Sequence, residues 1–261
     1  MPEGDVLRRT ARRLDQAFTD TVLIRADLRW PDAATVDLTA RTVLGTVAYG
    51  KHLLTRFDDG RTLHTHLRMD GRWTVASTGS PAASARSSLV RAVLANARWT
   101  AVGYRLGMLD VIATRDEHVL LGHLGPDILA EGFESAGLAE ALDRLRTQGA
   151  VPVCDALLDQ RIVAGIGTIY AAESLFACRL WPWTPVRSVE DPAALLLAAR
   201  RLMSRSADHP TRERSPLTMP LVPGRLRQPC RRCGTPIAVA QARRPPFERP
   251  IFYCPRCQSG G

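Results

Sequence analysis

The spacing of apolar residues changes twice along this chain, and each change predicts a different kind of secondary structure. Apolar side chains recur at helical spacing from Leu7 to Phe18, which predicts an amphipathic helix over residues 5–18 with Asp5 as its N-cap. Short β-rich runs then follow as far as Leu121, and such spacing is typical of a β-sandwich or barrel. Beyond them the helical period returns, which predicts a second, all-α domain.

The chain therefore divides into three predicted regions. The β-rich runs cover residues 21–26, 42–49, 53–57, 62–66, 72–75, 90–94, 99–102, 109–113 and 119–121. The helical segments cover residues 135–147, 152–160, 169–177 and 192–206, and the Pro- and Arg-rich residues 207–229 indicate a linker or loop. We expect domains over residues 1–128, 129–224 and 225–261.

Four cysteines near the C-terminus form two Cys-x-x-Cys pairs. The first pair is Cys230 and Cys233, and the second is Cys254 and Cys257. Paired thiolates at this spacing can close a tetrahedral zinc site, with a β-hairpin between the pairs. Four cysteine ligands leave no open position, so the predicted zinc ion is structural. Two disulfides are the alternative, and an intracellular chain disfavours them.

Positive charge is concentrated in the same part of the chain. The net charge is +9, and residues 201–261 hold twelve arginines against three acidic residues. Arginine can grip phosphate in a bidentate manner, so this tail favours a nucleic-acid partner over a merely solvated basic tail.

The sole lysine is Lys51. Its survival in so arginine-rich a chain indicates a need for a compact ammonium, unless it survives by chance.

The chain begins Met-Pro-Glu, so removal of Met1 would leave a secondary amine beside a carboxylate. A terminal amine has a reference pKa of ~8 against ~10.4 for lysine, so more of it is neutral at pH 7. A neutral amine can attack a carbonyl-like carbon, and a prolyl nitrogen then becomes an electron-withdrawing iminium. Pro2 and Glu3 are thus a candidate nucleophile and acid, although proline can also follow a start codon by chance.

Two weaker motifs leave alternatives open. The glycine-bearing segment 165–168 lies between predicted helices, and Thr168 could cap the second of them. Successive backbone N–H groups there, aimed by glycines such as Gly167, could hold a phosphate, and a simple glycine-bearing turn is the alternative. His64 and His66 alternate as in a strand, so both imidazoles can face one side. We expect polar strand histidines near a DNA surface in preference to a metal pair, since no third ligand has a recognisable spacing.

Together these features resemble the formamidopyrimidine-DNA glycosylase and endonuclease VIII (Fpg/Nei) family, and the Met-Pro-Glu-Gly start is closer to the endonuclease VIII branch. The resemblance spans almost the whole chain. Its motifs are Pro-Glu-Gly at 2–4, Gly-Lys-His-Leu-Leu at 50–54, His-Leu-Arg-Met-Asp-Gly at 66–71, Leu-Gly-Pro-Asp at 124–127, Leu-Leu-Asp-Gln at 157–160, Gly-Ile-Gly-Thr-Ile-Tyr-Ala-Ala-Glu at 165–173, and the cysteine-rich tail.

The resemblance implies an α+β multidomain fold. An N-terminal helix on a two-layer β-sandwich would form the catalytic domain, followed by a helix-two-turn-helix DNA-binding domain and a C-terminal zinc-finger β-hairpin, with DNA between the halves. It also implies a bifunctional DNA glycosylase and AP lyase of base excision repair. Such an enzyme would act on oxidised bases, and we expect pyrimidines.

The same resemblance assigns roles to individual residues. Pro2 would attack C1′ of the damaged nucleotide while Glu3 donates a proton toward the sugar, and the iminium would lead to β- and δ-elimination. Lys51 matches the family lysine that contacts phosphate beside the lesion. Arg249 lies five residues before Cys254, as in the family's finger, and would grip a neighbouring phosphate.

The segment Arg68, Met69 and Asp70 occupies the family's wedge loop, which fills the void left by a flipped base. Met69 is the side chain expected to insert, and ordinary packing is the alternative. Arg105 and Leu106 are expected to assist on the opposite strand.

Two positions depart from the family pattern. Thr168 stands where the family usually has Asn, and its hydroxyl lacks the two donors of the amide, which predicts a weaker phosphate grip. Formamidopyrimidine-type enzymes also carry a second glutamate shortly after the first, where this chain has Asp5 and Val6. A DNA-binding zinc protein of this scaffold with little catalysis therefore stays open as an alternative. A transcription-type zinc-ribbon factor is the third interpretation, and the presence of Pro2, Glu3 and Lys51 counts against it.

The expected partners are damaged DNA and one structural Zn2+ ion, without a nucleotide cofactor. No apolar stretch approaches the ~18 residues that span a membrane, and four arginines between Arg8 and Arg13 interrupt any N-terminal signal sequence. We expect a monomer in the cytoplasm, associated with the nucleoid.

Overall fold

The computed structural model describes residues 2–209 and 219–259. The chain divides into two compact units, the first ending at His123 and the second beginning at Leu124. The predicted linker at 207–229 lies partly outside the described residues.

The first unit begins with helix α1, Gly4–Phe18. Eight strands follow: β1 Arg25–Leu28, β2 Val43–Tyr49, β3 His52–Phe57, β4 Arg61–His66, β5 Arg72–Ser77, β6 Val90–Ala95, β7 Trp99–Tyr104 and β8 Met108–Ala113. They form two antiparallel sheets of four strands, in the orders β1-β6-β7-β5 and β2-β3-β4-β8. The short helix α2, Glu117–Leu121, ends the unit.

One apolar core holds the two sheets and α1 together. Leu7, Leu14 and Phe18 from the helix are buried in the same cluster as residues of both sheets, among them Leu63 and Leu94. This is the layered arrangement expected of alternating strands that bury one face. It confirms the predicted helix on a β-sandwich.

The described residues of the second unit form four α-helices and a two-stranded hairpin. The helices are α3 Ala136–Arg146, α4 Val153–Leu157, α5 Thr168–Ala177 and α6 Pro192–Asp208, and the strands are β9 Ala238–Ala242 and β10 Arg249–Tyr253. Asp191 caps α6 by accepting a hydrogen bond of 2.8 Å from the backbone N–H of Ala194. Helices and hairpin share one core, in which Ile251 packs with Leu175 and Cys254.

Three predicted elements differ from the structure. Residues 119–121 lie in helix α2 and not in a strand, since three apolar residues fit either period. The helix begins at Glu117, whose carboxylate is held by the Arg56 guanidinium at 2.8 and 2.7 Å. Residues 152–160 are helical only over Val153–Leu157.

The predicted strand 21–26 is the third difference. Its first half bonds to residues 41–43 beside one sheet, where Val22 forms an isolated bridge with Thr42. Its second half leads into β1, which pairs with β6 of the other sheet. The chain crosses between sheets here, so the strand proper is Arg25–Leu28.

Candidate functional site

Helix α1 fixes the position of the N-terminal motif. Glu3 is the N-cap residue, so the prediction that Asp5 caps this helix is wrong, since Asp5 already lies in the first turn. The carbonyl oxygen of Glu3 accepts hydrogen bonds from the backbone N–H groups of Val6 and Leu7 at 2.9 and 3.3 Å. Glu3 is only 1% exposed, and Pro2 is half-buried. The terminus is therefore held by a rigid element, with Glu3 at the N-terminal end of the helix.

A tight turn presents Lys51. Strands β2 and β3 pair up to Tyr49 and His52, so Gly50 and Lys51 form a two-residue hairpin loop. Gly50 has φ +54°, a conformation that glycine adopts without cost at the first position of such a turn. The positive charge of Lys51 contributes to lowering the pKa values of His52 and His66, which places its ammonium near both rings.

Two neighbouring loops bring the predicted wedge residues together. The Arg105 guanidinium lies 3.9 Å from the Asp70 carboxylate, and both Arg68 and Arg105 adopt positive φ values, +48° and +47°. A Cβ at Gly107 would lie 2.3 Å from Cγ of Arg68, so only glycine allows the loops to approach this closely. Met69 at the tip is 61% exposed.

Leu106 behaves differently from its expected role on the opposite strand. It is buried in the core of the first unit, where its side chain packs against Gly103 and Trp73. Leu106 anchors the loop to the core, and only Arg105 of this pair reaches the surface.

The glycine-bearing segment precedes helix α5. Gln160 holds it in place, because its side-chain oxygen accepts from the Gly165 N–H at 3.0 Å and its nitrogen donates to the Ile166 carbonyl at 2.9 Å. Gly167 occupies the N-cap position, and Thr168 is the first helical residue. The prediction that Thr168 caps the helix is therefore wrong, since its side chain begins one position too late.

The four predicted zinc ligands converge in the second unit. Their sulfur atoms all lie within 4.8 Å of one another, with Cys230 and Cys257 at 4.0 Å and Cys233 and Cys254 at 3.4 Å. Zn–S bonds of ~2.3 Å in a tetrahedron place sulfurs ~3.8 Å apart, whereas a disulfide needs ~2.05 Å. The cluster fits a single metal ion, and all four thiols are free.

Arg249 opens strand β10 on the hairpin between the two cysteine pairs. It is exposed, pairs across the hairpin with Ala242, and donates from its guanidinium to the Glu248 carbonyl at 2.8 Å. The predicted phosphate ligand therefore lies at the surface, on a strand joined directly to the metal-binding cluster.

A chain of histidines was missed by the sequence analysis. Nδ1 of His52 lies 2.8 Å from Nε2 of His64, and Nδ1 of His64 lies 3.2 Å from the Asp110 carboxylate. Pairing of His52 with His66, and of His64 with Asp110, puts all four on one sheet face. The sequence analysis expected polar strand histidines near a DNA surface; the side chain of His64 is buried, with 1% exposed.

The predicted site residues thus fall into two groups. The first unit contains Pro2, Glu3, Lys51 and the two wedge loops. The second unit contains Gly167, Thr168, Arg249 and the four cysteines. Outside the four cysteines, the described part of the chain contains no further cluster of three or more His, Cys, Asp or Glu side chains that could hold a metal ion.

Two family models match consecutive parts of the chain. Residues 1–125 match the formamidopyrimidine-DNA glycosylase N-terminal domain, and residues 124–208 match the formamidopyrimidine-DNA glycosylase H2TH domain. The chain belongs to the formamidopyrimidine-DNA glycosylase family.

Curated relatives of the family support the endonuclease VIII branch. A probable endonuclease 8 2 of Streptomyces coelicolor is 44% identical over 100% of this chain and 95% of its own length. A DNA-(apurinic or apyrimidinic site) lyase Nei2 of Mycolicibacterium smegmatis is 35% identical over 99% of each chain. The predicted family, branch and enzyme class are confirmed.

The fold is also that of a solved member. Lactococcus lactis formamidopyrimidine-DNA glycosylase, bound non-covalently to DNA containing an AP site, superposes with a TM-score of 0.80 at 21% identity, covering 99% of this chain and 100% of that one. Within the described residues, no helix combines the length and apolar character needed to cross a membrane.

Proposed function

We propose that this protein is a bifunctional DNA glycosylase and AP lyase that removes oxidised bases, pyrimidines foremost, through an iminium intermediate at Pro2. The observation that carries the proposal is the placement of Pro2 beside a buried Glu3 at the rigid start of helix α1. An imino nucleophile and a proton donor then share one fixed backbone, which lowers the entropic cost of bringing both to the sugar.

The steps follow from these two groups. After removal of Met1, the lone pair of the Pro2 nitrogen attacks C1′ of the damaged nucleotide and the bond from C1′ to the base breaks. The base leaves with the proton that the Pro2 nitrogen gives up. Glu3 donates a proton to the ring oxygen, the sugar opens, and the C1′–N bond becomes an iminium. Loss of a C2′ proton then expels the 3′ phosphate, and a second elimination expels the 5′ phosphate.

Other residues bind the nucleic acid in this proposal. Lys51 and Arg249 contact phosphates near the lesion, with Gly167 and Thr168 at a further phosphate. Met69 fills the space of the flipped nucleotide, flanked by Arg68, Asp70 and Arg105. Damaged DNA is thus the partner, bound by a monomer in the cytoplasm at the nucleoid.

The proposed cofactor is one zinc ion on Cys230, Cys233, Cys254 and Cys257. It would hold the hairpin that carries Arg249, and with four protein ligands it takes no part in the reaction. The proposed domain boundaries remain 1–128, 129–224 and 225–261.

Borohydride trapping tests the function. Mature protein is mixed with oligonucleotides that each carry one defined oxidised base or an AP site, reduced, and analysed by denaturing electrophoresis and mass spectrometry. We expect a covalent adduct at Pro2 and products of both eliminations. Pro2→Ala should abolish the adduct, and Glu3→Gln should slow its formation by a factor of about 10² to 10⁴.

Retention of Met1 is the internal control, since an acylated Pro2 nitrogen has no nucleophilic lone pair. Full base excision by protein that retains Met1 would overturn the proposal. DNA binding without any adduct would instead favour a catalytically weak DNA-binding zinc protein, the alternative suggested by Thr168 in place of asparagine.

A further inference from the structure

Phe247 is unusual among the aromatic residues of this chain. It is 64% exposed, and it is the one aromatic side chain among the exposed large hydrophobic residues of the described ranges. The other tryptophans, tyrosines and phenylalanines in those ranges are buried or half-buried. An aromatic ring left in water forfeits the gain of burial, and its faces stay available for contact with a partner.

The ring is presented by a well-anchored turn between β9 and β10. The backbone N–H of Phe247 donates to the Arg244 carbonyl at 2.9 Å. At the start of the turn, Arg243 donates from its backbone N–H to Asp155 at 2.9 Å and from its guanidinium to the Leu158 carbonyl at 2.7 Å. The turn is thereby tied to the end of helix α4.

Prolines restrict the same turn. Pro245 and Pro246 precede Phe247, and Pro250 follows it on β10. Each proline fixes its own φ angle, so the backbone on both sides of the ring has few conformations to lose. A ligand that contacts the ring therefore meets a pre-organised surface and loses little affinity to ordering.

The charge around the ring is positive. Arg244 and Arg249 are both exposed, and Glu248 is the one acidic residue between them. Proteins that bind single-stranded nucleic acid combine cationic side chains for the backbone with aromatic faces on which bases stack. The turn offers both within six residues.

We propose that Phe247 stacks on an unpaired nucleobase of the bound DNA, while Arg244 and Arg249 hold the adjoining phosphates. The inference rests on the proposed DNA-repair function and extends it to a substrate class. Bases inside a duplex are already stacked on their neighbours, so only unpaired bases offer a free face. Bubble, single-stranded or end-frayed DNA would therefore gain from this contact, and a fully paired duplex would not.

Binding of the full-length zinc-loaded protein tests this. Fluorescence anisotropy at one fixed salt concentration gives Kd for a single-stranded oligonucleotide and for a fully paired duplex of the same sequence. Phe247→Ala should raise Kd for the single strand by about 5- to 100-fold, the range for loss of one base–aromatic stack. The duplex Kd should change less than 2-fold, and the salt slope should be unchanged because no phosphate contact is lost.

Matched variants separate stacking from general apolar contact. Phe247→Trp should bind single strands at least as well as the parent and quench the fluorescence of 2-aminopurine in the oligonucleotide. Phe247→Leu keeps apolar volume without a π face and should bind like Phe247→Ala. Val119→Ala removes an equally exposed apolar side chain from helix α2 and should change nothing.

Specific outcomes overturn the inference. An unchanged single-strand Kd for Phe247→Ala would do so, as would full binding by Phe247→Leu. Altered self-association in sedimentation, with unchanged DNA affinity, would instead make the ring a protein contact. Borohydride trapping of the parent protein is scored separately, so failure of the Pro2 chemistry with an intact Phe247 effect would overturn only the proposed function.

Discussion

Nδ1 of His52 lies 2.8 Å from Nε2 of His64, and Nδ1 of His64 lies 3.2 Å from the Asp110 carboxylate. A carboxylate can only accept, so Nδ1 of His64 carries the hydrogen and its Nε2 accepts from His52. His66 accepts the Arg68 N–H on Nδ1 at 2.9 Å, which places its own hydrogen on Nε2. Neutral imidazoles thus line the sheet face next to the Lys51 turn.

This arrangement predicts loss of stability in acid. Burial, followed by nearby histidines and Lys51, lowers the pKa of His52 to about 3, and burial, followed by Arg68 and Lys51, lowers the pKa of His66 to about 4. Both titrate near 6.5 when unfolded. Between those values the unfolded chain binds more protons, so stability falls as pH drops from ~6.5 toward 4, by up to about 1.4 kcal/mol per pH unit for each ring.

Urea unfolding at pH 7 and pH 5 measures this effect. Acid would also protonate the thiolates of the proposed zinc site. The relevant quantity is therefore the difference in stability loss between the parent protein and a His52→Gln, His66→Gln double variant. The variant should lose less stability over this interval. Equal losses in both proteins would mean that the two rings do not set the acid response.

The order of helices and strands could be predicted from the sequence, because the spacing of apolar residues within each element indicates its type. Helix α1 shows this, since its buried face recurs every three or four residues from Leu7. Residues 119–121 could not be assigned in the same way, because three apolar residues fit a strand and a helix equally well. Glu117, the first residue of that helix, is held by the Arg56 guanidinium, and these two residues are far apart in the sequence.

Sequence spacing likewise predicted only part of the site. The spacing of the two Cys-x-x-Cys pairs predicted that the four cysteines form one cluster, and the structure brings them together as expected. The contact of His52 with His64 depends on strand register, which places the two diagonally across β3 and β4. Register follows from the pairing of whole strands, so no local pattern could have indicated it.

Glu173 should contribute more to stability than any surface carboxylate. Burial raises its pKa, while Oε1 accepts from the backbone N–H groups of Leu221 and Val222 at 2.8 and 2.9 Å. Glu173→Ala would leave two inward-facing N–H groups without this acceptor, at a cost on the order of 3 kcal/mol. Glu173→Gln keeps an oxygen acceptor and should cost about 1 kcal/mol. Equal unfolding free energies for the two variants would contradict this account.

Metal removal should loosen the hairpin. Cys233→Ala leaves three thiols for the proposed zinc ion, so we expect less than one ion per chain by mass spectrometry and weaker DNA binding. Cys178→Ala is the matched control, because Cys178 is a free cysteine outside the cluster. Freshly purified parent protein without metal would contradict a structural zinc site.

Loss of one phosphate contact has a distinct signature in salt. Arg249→Ala removes an exposed guanidinium at the start of β10. The Arg249 side chain takes no part in the core of the second unit, so the variant should fold normally. If Arg249 neutralises one phosphate, the slope of log K against log salt should fall by about 1, with weaker binding to all sequences alike. Arg115→Ala, at a side chain that is 87% exposed in the first unit, controls for the loss of one positive charge and should leave the slope nearly unchanged. Because a general decrease in net charge would affect both variants equally, matching slopes would remove Arg249 from the DNA contact, whereas a change confined to Arg249→Ala would place its guanidinium on a phosphate.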